Sequence, residues 1–262
     1  MRPKGTLVYF FCIVLSLFLA ANSFAAEPES NSPQRFAFAV MGDNRDGDPI
    51  FRKIIESLNA DLEICFAVNC GDLTPHGRER EFKHYLLMTG KSRIEIYPVI
   101  GNHDIVDSRT NYEKFLAPRY YSFDYGNSHF VMLDNVSQGG LGKAQWSWLR
   151  KDLSKHSREH VFVFFHKPLL DPSGHMPHYI MKPRNEVQEL IALFQKYNVK
   201  YVFFGHIHGY GRAERDGIVY ILTGGAGSPL YLPAFSGGFY HYVKVNVDGK
   251  NISDEVVRIS SP

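Results

Sequence analysis

Five short apolar runs in this 262-residue chain each end in a cluster of carboxylate, amide or imidazole side chains, and that repeated pairing constrains the fold more than any other feature. Residues 36–41 (FAFAVM) lead into Gly42-Asp43-Asn44-Arg45, and 64–70 (ICFAVNC) into Gly71-Asp72. Residues 94–100 (IEIYPVI) lead into Gly101-Asn102-His103-Asp104, 160–165 (HVFVFF) into His166-Lys167-Pro168, and 199–204 (VKYVFF) into Gly205-His206-Ile207-His208. Runs of this length, rich in Val, Ile and Phe and bounded by turn residues, read as buried strands. In α/β sheets the crevice beyond the carboxyl ends of neighbouring strands is where ligands bind. The five clusters are therefore expected to converge.

Helical spacing separates the runs. Phe51, Ile54, Ile55 and Leu58 recur at helical intervals between the first two, predicting a β-α-β opening. Residues 121–134 read as a hairpin turning at Gly126-Asn127. Helices carrying Trp146, Leu149 and Leu153, and Val187, Leu190, Ile191 and Phe194, precede the fourth and fifth runs. Trp146 and Trp148 are assigned to helix packing. Further strands are expected at 217–223 and 240–247, with Asp248-Gly249 turning into a last one. This is a mixed sheet system covered by helices, of α/β (α+β) class.

A composition of 44% hydrophobic and 21% charged residues suits one substantial domain, placed at residues 36–262. Before it, Arg2 and Lys4 precede an apolar run from Leu7 to Ala21, followed by the small residues Ser23 and Ala25. That order reads as a secretory signal peptide over residues 1–25, cleaved after Ala25, with a polar linker at 26–35. The chain is expected to be exported, periplasmic or secreted, the alternative being an uncleaved N-terminal membrane anchor. Removing Arg2 and Lys4 brings the 29 basic residues to 27, equal to the 27 acidic ones. No basic tract remains to bind nucleic acid, and no second apolar run to hold the processed chain in a membrane. Cys65 and Cys70 lie five apart in an extended run, on opposite faces and roughly 16 Å apart, too far to bridge. Both are expected to be buried thiols.

Each cluster alone has an ordinary explanation as a turn or a strand stop. The His206-Ile207-His208 pair is the most specific, because extended backbone points residues i and i+2 the same way. Taken together, two carboxylates, an amide oxygen and three imidazoles make a mixed oxygen and nitrogen ligand set suited to Mn, Fe or Zn. Six ligands exceed the need of one tetrahedral ion, so two transition-metal ions, divalent or mixed-valence, are expected. No serine or cysteine nucleophile competes: Ser173-Gly174-His175 lacks the strand–turn–helix setting such a site requires.

The order GD, GD, GNHD, lone His, GHIH resembles the calcineurin-like metallophosphoesterase superfamily, which includes purple acid phosphatases and bacterial phosphodiesterases. The resemblance spans about residues 36–247 and implies a four-layer αββα sandwich with a binuclear site at one edge. By that resemblance Asp72 bridges both metals, Asp43 and His208 belong to the first, and Asn102, His166 and His206 to the second. His103 is implied as the general acid or a phosphate contact. The implied reaction is hydrolysis of phosphomonoesters or phosphodiesters by in-line attack of a metal-bound hydroxide, on a small phosphorylated substrate.

Two departures stand out. Arg45 occupies the place of a histidine ligand in many members, and a guanidinium cannot ligate. It is expected to hold a phosphate oxygen, the competing reading being a surface salt bridge. Pro75 stands where members often carry an acid that orients the catalytic histidine. These departures motivate the alternative of a catalytically silent binding protein on the same fold. Substrate choice is assigned to two loops: residues 171–184, with His175, His178, Lys182 and Arg184, and residues 222–239, with Tyr231 and Phe235. Tyr210 and Arg212, just beyond the histidine pair, are expected to support it.

Overall fold

The alternation of Phe and Ala in the first strand already separates two cores. In β1 (Arg35–Met41), Phe36, Phe38 and Val40 face one side while Ala37, Ala39 and Met41 face the other. The computed structural model describes residues 34–261. The predicted signal peptide and nearly all of the linker lie outside the described residues, and Arg35, at the linker's predicted end, already belongs to β1. Among the described residues no helix is long and apolar enough to cross a membrane.

The expected runs occur in order: α1 (Asp48–Ala60), β2 (Ile64–Asn69), α2 (Glu79–Thr89), β3 (Glu95–Pro98), α3 (Arg109–Phe115), then the hairpin β4 (Tyr121–Tyr125) and β5 (Ser128–Met132), with α2 and α3 two helices not expected from the sequence. After these come α4 (Gly142–Lys155), β6 (His160–Phe164), α5 (Arg184–Lys196), β7 (Val199–Phe204), β8 (Tyr210–Arg215), β9 (Ile218–Thr223), β10 (His241–Asp248) and β11 (Asn251–Arg258). One sheet has the order β11-β10-β1-β2-β3, the other β4-β5-β6-β7-β9-β8. Strands β1 to β3 are mutually parallel, as are β5, β6, β7 and β9, while the outer strands are antiparallel additions. Parallel strands need covered faces, and the helices supply the cover.

Between the sheets lies an aromatic core. Phe38 stacks on Phe66 at 5.4 Å and meets the ring edges of Phe130 and Phe162 at 5.2 and 5.0 Å. These offset and edge-on arrangements are the favoured ones for aromatic pairs. The opposite face of β1 and β2 packs on Ile50, Phe51, Ile54, Ile55 and Leu58 of α1 and on Phe82 and Tyr85 of α2. The outer face of the second sheet takes Leu149 and Leu153 of α4 and Val187, Leu190 and Phe194 of α5, with Trp146 and Trp148 packed against this cluster. Helix, sheet, sheet, helix make four layers, the αββα sandwich.

One expectation about the cysteines is corrected. Cys70 is buried between the sheets, but Cys65 is exposed. It sits near the start of β2, the one strand position there that reaches solvent.

Candidate metal centre

All five clusters lie just past the C-terminal ends of β1, β2, β3, β6 and β7, and cross-sheet hydrogen bonds draw them together. The His206 amide, after β7, donates to both carboxylate oxygens of Asp43, after β1, at 3.1 and 2.9 Å. His166, after β6, donates its Nδ1–H to the Cys70 carbonyl after β2 at 2.9 Å. Within the first sheet, the His103 amide, after β3, donates to Asp72 Oδ1, after β2, at 2.9 Å. The site is thus a seam between the two sheets.

The backbone there is unusual. Asp43, Asp72 and His206 all adopt left-handed conformations, with φ of 62°, 54° and 71°. Non-glycine residues rarely do so, and such strain of roughly 1–3 kcal/mol each gathers where function demands a particular side-chain direction. Glycines beside the cluster residues make room as well as turns: a Cβ on Gly101, before Asn102, would collide with the Asp72 nitrogen, and one on Gly205, before His206, with Asp43 Oδ2.

Two groups of ligand-capable atoms share Asp72. In one, atoms of Asp43, Asp72 and His208 lie within 4.8 Å of one another, with His208 Nε2 3.4 Å from Asp43 Oδ1. In the other, His166 Nε2 is 3.2 Å from Asp72 Oδ1, 3.1 Å from Asn102 Oδ1 and 3.2 Å from His206 Nδ1. Backbone carbonyls set the histidine tautomers: Cys70 accepts from His166 Nδ1, and Pro229 from His208 Nδ1 at 2.7 Å. That leaves both Nε2 lone pairs facing carboxylate oxygens, an arrangement of acceptors that fits a cation between them.

Protons respond to the same crowding. Burial works against the Asp72 carboxylate, yet His166 and His103 hold its pKa well below the usual range. Burial alone would depress His166, but Asp72 outweighs it and raises the ring to about 9. Burial, with His166 alongside, drops His206 to about 3. A cation entering the site would therefore displace protons.

Around this centre the remaining predicted residues take distinct places. Arg45 is part of it: Nε donates to Asp72 Oδ2 at 3.3 Å, and the guanidinium also pairs with Asp46 at 2.9 Å. His103 Nε2 lies 3.9 Å from Asp72 Oδ2, and its Nδ1–H donates to the Pro75 carbonyl at 2.9 Å. The peptide oxygen of Pro75 thus orients the ring in place of an acid side chain. Tyr231 stacks on His208 at 3.9 Å, and Tyr179 lies 6.0 Å from Tyr231 and 5.8 Å from His206. His178 and Lys182 line a cavity that includes His206, whereas Arg184 lines a separate one and His175 lines neither. Phe235 is exposed.

Tyr210 and Arg212 do not support the histidine pair. Arg212 turns to Asp254 of β11, and Tyr210 packs on His241, because β8 carries both away from the cluster. Asp104 was missed as a contributor. Fully buried, it accepts from the amides of Leu73, Thr74 and Gly101 at 2.8–3.0 Å and from the Thr74 hydroxyl at 2.9 Å, tying the Asp72 loop to the Asn102-His103 loop. Burial and the Asp72 charge push its pKa up to about 7. The visible signal was its place in the GNHD cluster.

Residues 36–210 match the family model described as calcineurin-like phosphoesterase. The chain is 31% identical over 176 residues to purple acid phosphatase 23 of Arabidopsis thaliana, covering 60% of this chain and 36% of that protein. It is 27% identical over 175 residues to a 3′,5′-cyclic-nucleotide phosphodiesterase of a Nostoc species, covering 64% of each. The fold superposes on a purple acid phosphatase from yellow lupin seeds with a TM-score of 0.68 at 16% identity, covering 87% of this chain and 53% of that one. The chain spans little more than a third of the length of the first plant relatives it matches.

Proposed function

Because the chain belongs to the calcineurin-like phosphoesterase family, we propose that it hydrolyses esters of phosphoric acid at a two-metal centre held by the residues just described. The observation that carries this reading is the sharing of Asp72 between two groups of ligand-capable atoms, one with Asp43 and His208, the other with Asn102, His166 and His206. When bound, two transition-metal ions supply Lewis acidity for the phosphoryl group and a nucleophile at neutral pH.

The chain's own residues do the rest. His103 holds a proton at Nε2 for the leaving oxygen, its ring fixed by the Pro75 carbonyl. Arg45 faces the same side of Asp72 and offers its remaining N–H groups to a phosphoryl oxygen. Tyr231 braces His208 against rotation. Export follows from the reading of residues 1–25, and mature protein beginning just after Ala25 in a secreted or periplasmic fraction would establish it.

Purified protein loaded with Mn²⁺ is expected to hold about two ions and to cleave p-nitrophenyl phosphate or bis(p-nitrophenyl) phosphate. Chelation should abolish turnover and added metal restore it. Metal-loaded protein that turns over neither ester would overturn the proposal in favour of a silent binding protein, the reading that Arg45 resting on Asp72 favours.

A further inference from the structure

A cavity opens on each flank of the metal centre, and the two differ in charge. The first, of about 570 Å³, starts at Arg45 and Pro75 and runs over Phe51, Leu73 and Met88. Its lining carries the carboxylates of Asp46, Asp48 and Glu81, and two of its cations are paired with them, His84 Nε2 with Asp48 at 2.7 Å and Arg45 with Asp46. The second, of about 430 Å³, starts at His206 and is walled by Lys167, His178 and Lys182 with Ser137, Gln138 and Tyr179. No carboxylate lines it.

Among the described residues its lysines form no ion pair. Lys167 Nζ donates only to the Val136 carbonyl, at 2.8 Å. The acids whose charge reaches Lys167 are Asp72 and Asp134. Both are engaged elsewhere, Asp134 by Arg109 and Asp72 by Arg45 and His166. Among the described residues neither Lys182 nor His178 forms an ion pair. A lining with two ammonium groups and no carboxylate favours an anion between them. Hydroxyl and amide donors from Ser137, Gln138 and Tyr179 complete a polar lining, and a phosphate, with three or more acceptor oxygens, matches such a spread of donors better than a planar group.

We propose that this cavity is a second phosphate subsite, so that the substrate carries one phosphate to the metals and another to Lys167, Lys182 and His178. The inference rests on the phosphoesterase reading for the first phosphate. The arm leaving toward the other flank meets a largely apolar floor and carries no matching requirement for charge.

Isothermal titration of the Mn²⁺-loaded protein with non-hydrolysable phosphonate analogues of thymidine 5′-monophosphate and thymidine 3′,5′-bisphosphate tests it. The bisphosphate is expected to bind at least about tenfold tighter, and the gap to shrink to within about threefold in Lys182→Gln while persisting in Lys182→Arg. Lys182 is exposed, so neither substitution threatens folding. Equal affinities in the parent overturn the subsite, as does a gap that survives in both Lys182→Gln and Lys167→Gln. Turnover of p-nitrophenyl phosphate by the same preparation reports the phosphoesterase reading separately. Turnover without an affinity gap sinks the subsite alone, and a gap without turnover sinks the enzyme reading alone.

Discussion

His103 illustrates how a side chain's task is set by a neighbour's backbone. A carbonyl accepts its Nδ1–H and fixes ring and tautomer, leaving Nε2 3.9 Å from Asp72 Oδ2. If the ring delivers a proton to the leaving group, His103→Gln should lower kcat about 10²-fold on an alkyl phosphate ester and far less on a p-nitrophenyl ester, whose leaving group departs unprotonated. Equal losses on both esters in steady-state kinetics would assign His103 to phosphate binding instead. Asp104 acts at the same scale by tying two loops through four donated hydrogen bonds. Asp104→Asn sets an amide donor among donors and should cost about 1–3 kcal/mol, read as a lowered urea midpoint. The metal-ligating types were legible because Asp, Asn and His after strands are conspicuous. Asp104, Lys167 and the Pro75 carbonyl were not, since their roles depend on neighbours 28 to 31 residues away in sequence.

Elements read well where their periodicity was clean. In α1 the apolar stripe of Ile50, Phe51, Ile54, Ile55 and Leu58 is unbroken, whereas α2 buries Phe82, Tyr85 and Met88 but leaves Leu86 and Leu87 exposed, blurring its pattern. Strand β8 is mostly exposed and has no alternation to read, existing through its pairing with β9. Away from the metal centre, His129 on β5 joins Asp124 on β4 to Asp152 on α4, at 2.6 and 2.9 Å. Burial opposes a charge on this ring, but Asp152 and Asp124 outweigh it and raise its pKa above 6.5. A raised folded pKa means that the stabilisation is complete below the unfolded value and is lost as pH rises through the folded one. His129→Gln should therefore lower Tm more at pH 6 than at pH 10. A pH-independent loss in thermal melts would mean that the ring contributes packing alone.

At the scale of the molecule, two sheets are clamped by a shared aromatic core at their middle and by site residues at one edge. Phe38 is fully buried at the centre of that core, and Phe38→Ala should destabilise by about 3–5 kcal/mol in denaturant unfolding. Because the ligand-capable residues come from both sheets, metal binding should brace the whole fold. Each ion at 100 times its dissociation constant adds about 2.7 kcal/mol, so apo protein should melt at a lower temperature than Mn²⁺-loaded protein, by several degrees in calorimetry. The sequence by itself determined the strands, the residue types that end them and hence the chemistry available, because hydrophobic periodicity and turn residues act over a few positions. Only the tertiary structure decided which clusters meet, that Arg45 lies on Asp72, that a peptide carbonyl serves His103, that β8 draws Tyr210 and Arg212 away, and that the lysines gather on one flank. Those outcomes depend on the packing of two sheets that no local pattern encodes.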